Sequence, residues 1–343
     1  LYLPDFFISS NSDIILFFID SYIFIKFYYK FNFFLKKNIL ITGASGQLGQ
    51  FFVEKLAENN NVISSDVNVS SELVKKYDLK FLDASNEIKV RKFIDKYHIE
   101  EIYNFASILS AKAEKYPLKS FQLNTNCFLN VIKASTSSSV KKIFWPSSIA
   151  VFSKESNLDY VRQDVIMNPT TIYGASKLAC EKVINYFNVN GLLDIRSIRF
   201  PGIVSSSSPG GGTTDYIVEM INNIKSKKKY ICPISPNILL PMMHVSDAVD
   251  ASVKLMSVPR NNININDSYN ISSFETTPNE WKNLICELGY NLEVDFQPDF
   301  RQKIADSWPR KIDDKQIRKD LNWKPKFNKI KTLKSVIENY NLT

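Results

Sequence analysis

The chain has 343 residues, enough to bury a large core, and its composition, 44% hydrophobic and 23% charged, is that of an ordinary globular protein of one large or two modest domains. Its net charge of +8, from 43 basic and 35 acidic residues, is scattered apart from a run at 225–229 and a stretch at 311–334. No aromatic-and-basic motif accompanies it, which argues against nucleic-acid binding. Four widely spaced cysteines, Cys127, Cys180, Cys232 and Cys286, and only two histidines, His98 and His244, argue against structural zinc and a disulfide framework, and for a reducing compartment.

Residues 1–36 are an aromatic-rich leader with 13 Phe or Tyr. Its apolar run at 14–25 is broken by Asp20 and followed by Lys26 and Lys30, whereas a membrane helix needs about 20 apolar residues. Three acids, Asp5, Asp13 and Asp20, and no arginine fit a transit peptide poorly. The leader is read as sequence without a function of its own, with an anchor or targeting segment as the alternative, and no stable membrane association is expected.

From Lys37 onward short apolar runs alternate with helical patterns, the signature of βαβ units. Strands are predicted at 38–42, 62–66, 79–82, 102–106, 143–146 and 195–199, and helices at 47–58, 88–97, 121–135 and 176–187. The fold class is α/β, a Rossmann-type doubly wound parallel sheet. Beyond Pro201 come a Ser, Pro and Gly loop at 205–212, helices at 215–225, 245–256 and 279–288, a strand at 268–271 and a Pro- and Lys-rich tail. The expected organisation is a leader (1–36), a dinucleotide-binding domain (37–200) and a mainly substrate-binding region (201–343) interleaved with the sheet.

The first strand runs into a turn with Gly43, Gly46 and Gly49. Gly43 permits the tight turn, Gly46 lets backbone N–H groups approach a pyrophosphate, and Gly49 lets helix and strand pack closely. Asp66 ends the second strand 20 residues after Gly46, where an acid accepts from the ribose hydroxyls and repels a 2′-phosphate, favouring NAD over NADP. Asp83, closing the third strand, is a candidate for the adenine amino group. A turn residue is the alternative for both acids.

Tyr173 and Lys177 stand one helical turn apart. A phenol titrates near 10 and is a poor base, but an adjacent ammonium favours the phenolate, so Lys177 is expected to make Tyr173 a usable proton acceptor. Ser148, ending a strand over 142–148, supplies a hydroxyl to polarise the reacting oxygen, with Ser147 a competing candidate. The cluster from Pro209 through Thr213, Thr214 and Asp215 reads either as a capped helix start or as hydroxyls and exposed amides that hold a small carboxylate.

Several stretches together carry a resemblance: Trp145-Pro146-Ser147-Ser148-Ile149-Ala150-Val151-Phe152, Asn168-Pro169-Thr170-Thr171-Ile172-Tyr173-Gly174, Gly210 to Tyr216, Leu240-Pro241-Met242-Met243, and the run at 299–309 ending Ala305-Asp306-Ser307-Trp308-Pro309. From about residue 37 to residue 340 the chain resembles the short-chain, epimerase-like L-threonine 3-dehydrogenases of the extended short-chain dehydrogenase family. The resemblance implies metal-independent oxidation of L-threonine by NAD to 2-amino-3-oxobutanoate, which is cleaved to glycine and acetyl-CoA or decarboxylates to aminoacetone. It makes Tyr173 the base, Lys177 its activator and ribose ligand, and Ser148 the hydroxyl partner. Ser110, Thr213 and Thr214 would contact the amino acid, with Asp215 nearby and Trp308 closing the pocket. Gly43, Gln47, Leu48, Asp66, Asp83, Ala106 and Pro201 would line the cofactor. A homodimer is implied, in the cytoplasm of a bacterium or the mitochondrial matrix of a eukaryote, not secreted.

Two departures stand out. His244-Val245-Ser246 replaces a usual Tyr-Met-Asp before Asp247, and Phe152-Ser153 lacks the usual glycine, which puts local packing near Ser153 in doubt. The rival readings are a nucleotide-sugar 4-epimerase or dehydratase, which would need a larger second domain, and a catalytically silent NAD-binding regulator, which predicts loss of Ser148, Tyr173 or Lys177.

Overall fold

A computed structural model describes residues 36–226 and 228–340; residues 1–35, and with them the reading of the leader, lie outside the described residues. The first half contains β1 (Asn38–Thr42), α1 (Gln47–Ala57), β2 (Asn61–Asp66), α2 (Ser71–Tyr77), β3 (Lys80–Phe81), α3 (Glu87–Tyr97), β4 (Glu101–Asn104), α4 (Ser110–Ala113), α5 (Pro117–Ser135) and β5 (Lys142–Ser148). Then follow α6 (Ile172–Val189), β6 (Asp194–Phe200), β7 (Gly202–Val204), α7 (Tyr216–Ser226), β8 (Tyr230–Cys232), β9 (Leu240–His244), α8 (Val245–Ser257), β10 (Tyr269–Asn270) and β11 (Phe274–Thr276). The last elements are α9 (Pro278–Glu287), β12 (Val294–Phe296), α10 (Phe300–Asp306), α11 (Lys315–Leu321) and α12 (Lys329–Asn339).

Seven strands in the order β10-β6-β5-β4-β1-β2-β3 make one sheet, and each of its pairings is parallel. The order reverses between β1 and β4, and that reversal opens a crevice at the carboxyl ends of the strands. Two small sheets, β11-β9-β7 and β12-β8, come from the later part of the chain. Strand alternation divides the core. Ile39 and Ile41 pack with Phe52 and Leu56 of α1 and Leu255 of α8. Leu40 faces the other way, with Ile102, Phe128 and Ile184. Each fully buried side chain of this size contributes about 1.5–3 kcal/mol, so α1 and α6 are held to the sheet mainly by these faces.

The third strand is shorter than the predicted 79–82: Leu79 and Leu82 are buried, but only Lys80 and Phe81 pair in the ladder. Asp83 therefore lies two residues beyond β3 rather than closing it. The tail forms α11 and α12 because Ile317, Leu321, Leu333, Val336 and Ile337 are buried. Both departures are accommodated. His244 stacks on Phe327 with ring centroids 3.9 Å apart, and Asp247 accepts from the Lys326 and Phe327 amides at 2.9 and 3.0 Å. Ser153 is extended (φ −152°), a conformation that needs no glycine. Among the described residues no helix is long and apolar enough to cross a membrane.

Candidate active site

The crevice at the strand ends is built first by the glycine turn. Gly43 is left-handed (φ +69°), and a Cβ there would lie 2.7 Å from the Phe105 carbonyl carbon and 2.8 Å from the Ala106 nitrogen. A Cβ on Gly49 would lie 2.2 Å from the Gly43 oxygen, so α1 packs directly on the turn. Gly46 is the N-cap of α1 and leaves its first turn without a side-chain cap or an acid. Free N–H groups at a helix start are an anion site. Gly46, Gln47 and Leu48 line the cleft with them.

Asp66 sits at the end of β2 as expected, but its carboxylate also braces the turn. One oxygen accepts from the Ser45 amide at 3.0 Å and the Ser45 hydroxyl at 2.7 Å, the other from the Asn68 amide at 3.0 Å. Asp83 accepts from the Ser85 amide and hydroxyl at 2.9 and 2.6 Å, a local turn clamp. Ala106 lies behind Gly43. The lining of the cleft includes neither acid nor Ala106, but it does include Pro201.

The residues expected to handle the proton meet on the β5 side. Tyr173 falls in the first turn of α6, whose N-cap Thr171 accepts from the Gly174 amide at 3.1 Å. Glu114, just after α4, accepts from the Ile172 and Tyr173 amides at 2.9 and 3.3 Å, placing an anion at the positive end of the helix. A Cβ on Gly174 would lie 2.0 Å from the Ala150 oxygen, so α6 crosses the turn after β5 at backbone contact. The Ser148 hydroxyl lies beside the Tyr173 phenol and favours its ionised form. The Ser147 hydroxyl instead donates to Glu181, which separates the two serine candidates by geometry.

Lys177 is buried and donates to the Pro146 carbonyl at 2.7 Å. Its Nζ lies 4.2 Å from the Trp145 ring centroid and 5.5 Å from that of Tyr173. Burial pulls Lys177 down to about 8, against raising contributions from Cys180 and Glu181. At neutral pH it is therefore still mostly ammonium. Burial pushes the Tyr173 phenol up to about 12, opposed by the hydrogen bond with Ser148. The expectation that Lys177 alone makes the phenol a ready base thus meets a larger opposing effect: desolvation disfavours the phenolate more than the surrounding groups favour it.

The opposite wall comes from α4 and the loop before α7. Ser110 and Thr213 share a 3.0 Å hydroxyl contact, and the Thr213 amide donates to the Ser110 hydroxyl at 3.2 Å. Asp215 accepts from the Gly211 and Gly212 amides, both at 2.8 Å. Burial raises its carboxyl while these bonds lower it. The loop amides expected to be exposed at Gly211, Gly212 and Thr213 are therefore engaged within the protein. Thr214 and Trp308 line the same cleft, and the buried Trp308 indole N–H has no protein partner. The Gln47 side chain reaches the Ser205 hydroxyl at 3.1 Å, tying the glycine turn to this loop.

Three buried or half-buried residues of the site region are not singled out by the sequence patterns: Glu114, Glu181 and Arg199. Glu181 follows Lys177 by one turn and Tyr173 by two, so helical spacing was a usable signal. Arg199, a cation in an inner strand of a parallel sheet whose faces are both covered, was another.

A model of the family described as "NAD dependent epimerase/dehydratase family" matches residues 39–272. An uncharacterized epimerase/dehydratase of Staphylococcus haemolyticus is 34% identical over 299 residues, covering 85% of this chain and 94% of its own length. Among solved structures, the GalE-like L-threonine dehydrogenase of Cupriavidus necator in its holo form is 34% identical with a TM-score of 0.85, covering 89% of this chain and 100% of that one. A monomeric L-threonine 3-dehydrogenase from a metagenome, in its apo form, is 35% identical with a TM-score of 0.84, covering 88% and 98%. The cofactor is NAD, and the uncapped start of α1 and the glycine contacts that hold it fit such a group.

Proposed function

We propose, from the premise that this chain belongs to the NAD-dependent epimerase/dehydratase family, as an extended short-chain dehydrogenase, that it oxidises L-threonine at C3 to 2-amino-3-oxobutanoate. The observation that carries the reading is one cleft with the Ser148, Tyr173 and Lys177 set on one wall and Ser110, Thr213 and Thr214 on the other.

The α1 N-terminus would hold the pyrophosphate, Lys177 the nicotinamide ribose, and Asp66, at the end of β2 outside the cleft lining, the adenosine ribose. When bound, NAD supplies the hydride acceptor and a positive ring. Tyr173 removes the proton from the threonine hydroxyl as the C3–H bond breaks, and Ser148 donates a hydrogen bond to the same oxygen. The Lys177 ammonium, in reach of the Tyr173 ring, favours the phenolate electrostatically. Thr213 and Thr214 hydroxyls orient the carboxylate, and the unpartnered Trp308 N–H offers a further donor while its ring excludes water. Residues 201–343 contribute most of the substrate contacts.

L-Threonine is expected to raise the melting temperature of the NAD-bound protein, and UDP-galactose is expected to leave it unchanged. Protection by UDP-galactose alone would replace this reading with the nucleotide-sugar one. A homodimer belongs to the proposal, and sedimentation velocity distinguishes it from a monomer like the similar metagenomic enzyme.

A further inference from the structure

The buried charges next to the proton-handling set have no part in the chemistry above. Glu181 is fully buried in α6 and Arg199 is 1% exposed in β6. The guanidinium grips the carboxylate through Nε at 3.0 and 3.2 Å and a terminal nitrogen at 2.8 Å. Arg199 also donates to Asn270 at 3.0 Å and Asp267 at 3.3 Å, both next to or within β10. The Ser147 hydroxyl donates to the same Glu181 carboxylate.

Together with the contacts of the cleft, this gives a register. Three consecutive residues of β5 each meet one of three residues spaced a turn apart on α6. The Ser148 hydroxyl acts on the Tyr173 phenol, Lys177 donates to the Pro146 carbonyl, and Ser147 donates to Glu181. Sliding α6 along β5 would break all three contacts at once. Apolar packing alone would resist such a slide weakly, because neighbouring side chains can substitute for one another. A bidentate ion pair is directional and does not. Buried ion pairs are poor sources of stability and can often be exchanged for apolar residues of similar volume, so stability alone does not account for this one.

We propose that Glu181 is a positioning residue for the reaction: clamped by Arg199 and Ser147, it fixes the helix carrying Tyr173 and Lys177 against the strand carrying Ser148. The inference rests on reading those three as the proton-handling set. Glu181 also favours the charged form of Lys177, as Cys180 does, against the burial that pulls it down. Its loss therefore moves the lysine titration to lower pH.

The test compares the full chain, wild type, with Glu181→Leu/Arg199→Met and with Ser147→Ala. Thermal stability, NAD affinity, KM for L-threonine and kcat across pH are measured for each. The expected result is a double variant that melts like wild type and binds NAD normally but loses about 100-fold in kcat, the scale of a displacement of about 1 Å. Its alkaline pH profile is displaced downward, and Ser147→Ala shows a smaller loss in the same direction. A stable double variant with wild-type kcat overturns the proposal. If the double variant does not fold, Ser147→Ala decides, and unchanged kcat there overturns it.

Absence of threonine-dependent NADH in NAD-binding wild type would instead be a failure of the substrate reading. In that case the Lys177 titration, followed by NMR of ε-13C-lysine protein, decides the role of Glu181. A midpoint that moves in Ser147→Ala, which removes no charge, supports the positioning role, and one that stays at its wild-type value overturns it.

Discussion

Replacing Lys177 with methionine converts the burial of one ammonium into a measurable pH dependence of stability. In the folded protein the group titrates at about 8 instead of 10.5, because burial outweighs the raising effects of Cys180 and Glu181. Below about 8 both folded and unfolded chains hold the proton, and the penalty of burying the charge is constant. Between about 8 and 10.5 the unfolded chain keeps the proton that the folded chain has lost, so wild-type stability rises with pH from this group. Each pH unit is worth about 1.4 kcal/mol, so the whole window amounts to about 3 kcal/mol. Urea unfolding of wild type and Lys177→Met at several pH values between about 6.5 and 9.5 gives two curves whose difference cancels the groups they share. The advantage of the methionine protein is expected to be flat up to about pH 8 and then to shrink by about 2 kcal/mol by pH 9.5. Parallel curves would refute the buried-ammonium argument. The lost bond to the Pro146 carbonyl adds an offset that leaves the slope intact.

Gly49→Ala puts a methyl 2.2 Å from the Gly43 oxygen and 2.7 Å from the Ala44 Cα; a loss of about 1–3 kcal/mol in stability and weakened NAD binding are expected from denaturation and fluorescence titration. Asp66→Ala removes the acceptor of Ser45 and Asn68, bonds worth about 1.5–3 kcal/mol each, so stability in the same denaturation assay falls; it also removes the charge that would repel a 2′-phosphate, so the kcat/KM ratio of NAD to NADP is expected to drop. Arg199→Ala leaves Glu181 buried without its cation and is expected to cost about 3–5 kcal/mol. Lys55→Ala, at the exposed pair with Glu58, is expected to cost less than about 1 kcal/mol in the same assay.

Much of this was legible in the chain itself, for identifiable reasons. β1, β5 and the helices near them are marked by apolar residues at the right spacing, and the turn after β1 by its glycines. Tyr173, Lys177 and Ser148 stand out because helical spacing and strand ends are local properties. The orientation of Ser147 toward Glu181 does not, since choosing between adjacent serines requires knowing which one α6 faces. The roles of Asp66 and Asp83 as turn braces depend on backbone amides whose positions are set only by the folded turn. The small sheets leave no such mark because strands as short as β7, β8, β11 and β12, three residues each, carry too little periodicity to register. The partners of Arg199 are hidden by distance: Glu181, Asp267 and Asn270 come from α6 and the β10 region, brought together only by the parallel sheet.

The most direct test of the central claim is NADH formation from NAD and L-threonine by the wild-type protein and by Tyr173→Phe, with NAD affinity measured for both. The account predicts threonine-dependent NADH in wild type and a loss of about 100-fold or more in kcat for the phenylalanine variant, with NAD binding retained. Equal turnover in the two proteins would remove Tyr173 as the base, and no NADH from NAD-binding wild type would remove threonine as the substrate.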